Sequence, residues 1–246
     1  MKKGLKWTLI IVSAIIVIFA GAVGAMYLPM LQMKPASTGQ VLDLDDLLYA
    51  VRNSGFSTVY VIKTENGHIL FDAGANAAEL EASLLELGID PADVRWVFLT
   101  HSDYDHVAGL PLFPNAEIFM SEDELPLVNG TVKRNFMGWN SLPKGIDVDR
   151  ITLLPDGQEI NFYRMRLKCI KAPGHTIGSM LYLVDGLLLF SGDAFKVVNG
   201  KIKVHPFSMD KAQAKKTIKQ VRSIVRNSDI VLTSHYGYHE KNSIRH

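Results

Sequence analysis

The sequence predicts one mixed α/β domain preceded by a single transmembrane helix. Three observations lead there. Short apolar runs bounded by Gly, Pro, Asn and Asp recur along the chain, and stretches with helical spacing separate some of them. Residues 7–31 carry no charge at all. The 246 residues are 48% hydrophobic and 21% charged, a balance that permits a packed core and excludes global disorder.

The N-terminal segment comes first. Lys2, Lys3 and Lys6 form a basic end at 1–6, and the apolar run 7–31 follows, with Trp7 and Tyr27 near its two ends. A helix needs about 20 apolar residues to cross the hydrocarbon core. Lysines on one side only keep that end cytoplasmic and place the rest outside. The expectation is therefore a single-pass protein of the cell membrane with an extracytoplasmic domain. The alternative is a cleaved signal that releases a secreted domain, with Ala20, Ala22 and Ala25 as candidate cleavage positions. Residues 32–39 (QMKPASTG) read as a linker, and the globular domain is expected over 40–246.

Within that domain, 48–52 and 57–63 read as strands, and Glu65-Asn66-Gly67 as a turn into the strand 68–71. Residues 77–87 show helical spacing and stop at Gly88. The apolar run 96–100 suits a strand buried on both faces, and 116–120 follows it. Ser121 to Glu124 reads as an acidic helix start. The stretch 129–145 looks irregular, and Phe136, Met137 and Trp139 in it are candidates to wall a pocket. Strands are expected at 151–154, 167–172, 180–184, 187–190 and 230–232, and a basic amphipathic helix at 209–227. Runs of strands with occasional helices are a mixed α/β pattern, not a simple βαβ alternation.

Composition excludes some functions. The lone Cys169 rules out an internal disulfide framework and a cysteine-rich metal cluster. Without the three N-terminal lysines the remainder has 23 basic against 25 acidic residues, and a near-neutral body offers no electrostatic grip on nucleic acid.

The dense spot is Thr100-His101-Ser102-Asp103-Tyr104-Asp105-His106, directly after an apolar strand. His101, Asp103, Asp105 and His106 are all side chains that bind metals. His101 and Asp103 alternate, so they can point the same way, whereas Asp105 and His106 are adjacent and aim at different points. Asp103 could instead cap a following helix. Three further strand ends carry candidate ligands: His175 after Pro173-Gly174, Asp193 after Ser191-Gly192, and His235 after Thr233-Ser234. His68, His205 and His239 have no motif around them and read as ordinary core or surface histidines. Tyr236, next to His235, could donate to a developing oxyanion.

In these residues the chain, from about 48 to 237, resembles the metallo-β-lactamase superfamily. That family's signature is His-x-His-x-Asp-His, then a distant His, a distant Asp and a final His. Here His101, Asp105, His106, His175, Asp193 and His235 occur in that order, and Asp72 in the FDAG stretch matches a supporting aspartate of the family. The resemblance implies a four-layer αββα sandwich with two divalent ions at one edge. One ion would be held by His101, Asp103 and His175, the other by Asp105, His106 and His235, with Asp193 bridging them. Asp103 stands where the family's second histidine is expected. Zinc accepts a carboxylate there, while the harder oxygen donor also suits Mn or Fe. The implied function is a membrane-anchored binuclear hydrolase whose metal-bridged hydroxide attacks a small ester, lactone or thioester, Asp105 also steering the proton of that hydroxide. A phosphodiesterase or nuclease outside the membrane, a di-iron redox protein and a metal-free binding scaffold are the alternatives. The expected partners are a small-molecule substrate and, through the N-terminal helix, the membrane; no nucleic acid is expected.

Overall fold

The computed structural model describes residues 2–42, 48–134, 140, 142–162 and 164–245. The chain divides into two compact units, Met1–Met33 and Lys34–His246. The first holds one helix, α1 (Lys2–Met30), with Pro29 in its last turn. Its stretch Ile10–Met30 is long and apolar enough to cross a membrane.

The second unit is built on two sheets. The first runs in chain order: β1 (Gly39–Leu42), β2 (Leu48–Asn53), β3 (Ser57–Ile62), β4 (His68–Phe71), β5 (Val94–Phe98), β6 (Glu117–Ser121) and β7 (Ile151–Leu154). Strands β1 to β4 pair antiparallel, and β4 to β7 pair parallel. The second sheet contains β8 (Glu159–Phe162), β9 (Met165–Lys171), β10 (Met180–Val184), β11 (Leu188–Gly192), β14 (Ile230–Thr233) and β15 (Gly237–Glu240). Its order is β15-β14-β11-β10-β9-β8. Among the described residues, β11 and β14 form its one parallel pair. A separate hairpin, β12 (Lys196–Val198) and β13 (Lys201–Lys203), leaves the end of β11.

Three apolar cores make the layers. Between the sheets lies an aromatic core, in which Phe71 stacks on Phe190 and Phe98 stacks on Phe119. The outer face of the first sheet buries Val59, Leu70 and Val97 against Leu80 and Leu84 of α2 (Ala77–Glu86). The outer face of the second sheet buries Leu181, Leu189 and Val231 against Ile218, Val221 and Val225 of α5 (Lys211–Asn227). The result is the αββα sandwich that the motifs imply. The lysines and arginines of α5 lie on its solvent side, while Ala214, Thr217 and Ile218 face inward.

Four differences from the sequence reading are local. The acidic segment after β6 forms one 3-10 turn, Glu122–Glu124, then the one-turn helix α4 (Leu125–Val128), because Pro126 follows at once. The strand expected at 96–100 occupies Val94–Phe98, since the Thr100 amide bonds a side chain instead of a strand partner. β1, β8, β15 and the β12–β13 hairpin are additional strands. Lys34 and Ala36, in the stretch read as linker, bond the folded unit through the His235 carbonyl and the Thr58 hydroxyl.

Candidate metal centre

The chain leaves β4, β5, β9, β11 and β14 at one edge of the sandwich, and each exit carries a polar residue of the cluster. Asp72 follows β4, the 100–106 loop follows β5, His175 follows β9, Asp193 follows β11 and His235 follows β14. Strand ends are rigid platforms, so side chains mounted on them keep a fixed geometry.

Backbone strain and tight packing shape these exits. Asp72 adopts φ +64, which lets its carboxylate turn back under the neighbouring loop. Gly192 adopts φ +50, and a Cβ there would lie 2.3 Å from the Thr100 hydroxyl. At Gly178 a Cβ would meet the Glu124 amide nitrogen at 2.2 Å, so only glycine lets the 173–179 loop press onto that turn.

The histidines are oriented from behind. Asp72 accepts from the Thr100 amide at 2.8 Å and from the Thr100 hydroxyl. It also accepts from His106 Nδ1 at 2.8 Å. Because the Thr100 hydroxyl donates to Asp72, its oxygen is left to accept from His101 Nδ1 at 3.0 Å. His235 Nδ1 donates to the Phe56 carbonyl at 2.6 Å. All three rings therefore present Nε2 to the same space, the arrangement in which a carboxylate or carbonyl fixes a ligand's tautomer. Nε2 of His101 and of His106 are buried with no hydrogen-bond partner.

The acidic side chains converge on that space. Asp193 Oδ2 lies 3.1 Å from His235 Nε2, 3.4 Å from His175 Nε2 and 3.8 Å from His106 Nε2. Asp105 Oδ2 lies 3.2 Å from His235 Nε2 and 3.7 Å from His106 Nε2. Asp103 Oδ2 lies 3.2 Å from His175 Nε2 and 3.4 Å from His101 Nε2. Donors on one tetrahedral zinc at about 2.0–2.1 Å sit roughly 3.3 Å apart. Most of these spacings are near that value, and the orphaned imidazole nitrogens need an electrophile, so the residues present fit metal ions. The groups His101–Asp103–His175 and Asp105–His106–His235 each bring their donor atoms within 4.8 Å of one another. Asp193 joins His101 and His106 in a third such group.

Charge follows the same geometry. Burial works against the ionised form of Asp193 and Asp103, yet the surrounding histidines hold both well below the usual carboxylate range. Burial also opposes ionisation of Asp105, but His106 and His235 bring it down to about 2. His175 is brought down as well, to about 4, by burial and by Arg134, which for an imidazole favours the neutral form. Asp105 is the most exposed of these candidate ligands, its side chain 23% exposed.

Among the described residues, four buried side chains of this centre lie outside the motifs read from the sequence. Arg134 donates to the His175 and Phe207 carbonyls and pairs with Asp103 at 2.9 Å. Asn140 donates to the other Asp103 oxygen at 2.7 Å. Asp103 heads the short helix α3 (Tyr104–Val107) but makes no side-chain cap bond to it. Glu124 accepts from the Ser102 amide and hydroxyl, the Thr176 hydroxyl and the Gly178 amide, tying the two ligand loops together. His205, read from the sequence as an ordinary histidine, stands in the cluster beside Asp193. Arg134, Asn140 and Glu124 have nothing local to mark them. His205 had an indirect cue: Asn199-Gly200, a hairpin turn signal a few residues before it. Tyr236 lies against His205 at 5.9 Å with its hydroxyl buried and unpartnered. Phe136, Met137 and Trp139 lie outside the described residues.

Fold and site together define a two-sheet sandwich with a buried histidine–aspartate cluster fit for metal ions at one edge. The model of the metallo-beta-lactamase superfamily matches residues 52–235, and the chain belongs to that superfamily. It is 28% identical over 162 residues to a probable metallo-hydrolase of Methanocaldococcus jannaschii, across 64% of this chain and 66% of that protein. It is 30% identical over 141 residues to a hydroxyacylglutathione hydrolase of Aeromonas hydrophila, across 55% of this chain and 45% of the relative. The match thus spans between under half and two thirds of these relatives' lengths. Among solved structures, a subclass B3 metallo-beta-lactamase of Bradyrhizobium japonicum superposes with a TM-score of 0.63 at 20% identity, over 82% of this chain and 79% of that one.

Proposed function

We propose that the protein is a binuclear metal-dependent hydrolase acting on a small ester, lactone or thioester, held at the membrane by α1 with the catalytic unit outside. One observation carries the reading: two donor triads stand side by side, with Asp193 in reach of residues from both. His101, Asp103 and His175 would hold one ion; Asp105, His106 and His235 would hold the other. A pair of divalent cations supplies a nucleophile at neutral pH and polarises the bond under attack. Zinc suits the mixed imidazole and carboxylate donors, with Mn or Fe also compatible with Asp103.

The chain's own residues supply the rest. Asp72 and Thr100 lock His106 and His101, so the donors are positioned before an ion arrives. Asp105 stays ionised and is the most exposed of the candidate ligands, so it can accept and redirect the proton of attacking water. The Tyr236 hydroxyl, held neutral with its pKa up at about 12 by burial and by Asp193, keeps a proton to donate. The bond type takes its support from the relative named a hydroxyacylglutathione hydrolase.

The test uses the full chain in detergent. Elemental analysis should return about two zinc or manganese ions per chain. A panel of lactone, thioester and phosphodiester substrates should show turnover of one of the first two, lost by at least about a hundredfold in Asp193→Ala. No metal after reconstitution would sink the reading. Turnover of the phosphodiester alone would move the substrate class, and iron with oxygen consumption would move the chemistry to redox.

A further inference from the structure

We propose that His205 is a further ligand of the first ion, binding it together with His175 and Asp193. This rests on the binuclear reading above and extends it to a residue outside the motif set.

His205 is 1% exposed, and neither of its ring nitrogens has a hydrogen-bond partner. A buried imidazole that serves only packing keeps at least one partner, because an unmet polar group costs about 1–3 kcal/mol. His205 Nε2 instead stands 3.7 Å from Asp193 Oδ2, beyond a hydrogen bond but close to the spacing of two donors on one ion. His175, Asp193 and His205 each offer a donor atom within 4.8 Å of the others. The rings of His175 and His205 meet edge to face at 4.8 Å.

The position is built. The β12–β13 hairpin delivers the chain to His205, and the Ser208 amide and hydroxyl both donate to the His205 carbonyl. Phe207 and Tyr236 flank the ring, so it cannot swing out to solvent without vacating a packed slot.

The first ion also needs another donor. Asp103, the carboxylate in the place of a histidine, already has one oxygen on Arg134 and the other on Asn140. Sharing its charge with a guanidinium weakens it as a metal donor. His205 restores the missing imidazole from a different strand end. The first site then becomes richer in nitrogen and suits zinc better than its Asp103 suggests.

The test loads the full chain, in detergent, with cobalt(II). The unsubstituted protein should take up two ions without a thiolate-to-cobalt band, since its one thiol, Cys169, is buried in the core between the sheets. His205→Cys should gain that near-ultraviolet band, and His205→Ala should hold one of its two ions at least about tenfold more weakly. In the unsubstituted, histidine-labelled protein loaded with cadmium, His205 should show a cadmium–nitrogen coupling, a readout that needs no variant to fold. Two bound ions with no coupling at His205, no band in His205→Cys and unchanged affinity in His205→Ala would overturn the inference and leave the binuclear reading standing. Failure of the unsubstituted chain to bind any ion would overturn both.

Discussion

His106 is pressed among three carboxylates. Its Nδ1 donates to Asp72, and its Nε2 faces Asp105 and Asp193. Burial alone would push its pKa down, but the three carboxylates outweigh it and bring the group up to about 9. His235 is raised in the same direction by Asp193 and Asp105, again against burial. A metal must displace these protons, so its apparent affinity should climb by about tenfold per pH unit for each proton released, and the His106 contribution should level off near pH 9. Chelator competition from pH 6.5 to 9.5 measures the slope, and a flat profile would contradict the arrangement. In chelated protein the sign reverses. The raised group stabilises the fold fully below its unfolded value of 6.5, and that contribution fades as pH rises through about 9. The two trends have one cause: whatever holds the proton on His106 is the same negative charge that would hold the ion.

At the scale of elements, Glu124 is the join between two ligand loops. It is fully buried and accepts from Ser102 on one loop and from Thr176 and Gly178 on the other. Glu124→Ala strands two amide donors, each costing about 1–3 kcal/mol, so unfolding by urea should show a loss of several kcal/mol. Glu124→Gln, which keeps the shape but replaces one acceptor with a donor, should fall between. A loss within about 0.5 kcal/mol for Glu124→Ala would mean the loops hold themselves. Nothing in Ser121-Glu122-Asp123-Glu124 foretold this role, because an acidic run reads as a helix start or a solvated surface. The strands and candidate ligands that the sequence marks share a different property. His101, Asp105, His106, His175, Asp193 and His235 all follow apolar strands whose ends are marked in sequence by local turn residues. β8 and β15 were missed because they are short and mostly polar, with Glu159 and Asn161 in one and Glu240 in the other. The β12–β13 hairpin hid behind its lysines, although Asn199 at φ +54 and Gly200 at φ +73 form its turn. Arg134 and Asn140 reach Asp103 from a stretch with no periodic pattern, and such long-range pairings leave no local trace.

At the scale of the whole molecule, the two units differ in what they bury. Among the described residues, the three apolar cores draw their members from Ala36 to Ile244. α1, by contrast, keeps Ile15, Ile16, Ile18 and Phe19 exposed, the last at 70%. A helix apolar all round has no polar face to give to water. At about 1.5 Å per residue the span Ile10–Met30 is roughly 30 Å long, the thickness of the hydrocarbon core. With α1 as an anchor, the full chain should sediment with membranes, resist high salt and alkaline wash, and dissolve only in detergent, because an attachment through this helix would be apolar and not ionic. A fragment covering 34–246 should stay soluble and keep its metal content. If the lysines at positions 2, 3 and 6 keep their end cytoplasmic, protease added to intact cells stripped of their outer layers should degrade the folded unit and spare the basic end. Protection of the folded unit would reverse the topology and put that unit on the cytoplasmic face. A soluble, shortened chain whose new N-terminus falls after Ala20, Ala22 or Ala25 would instead make α1 a signal, with the same exported domain and no tether.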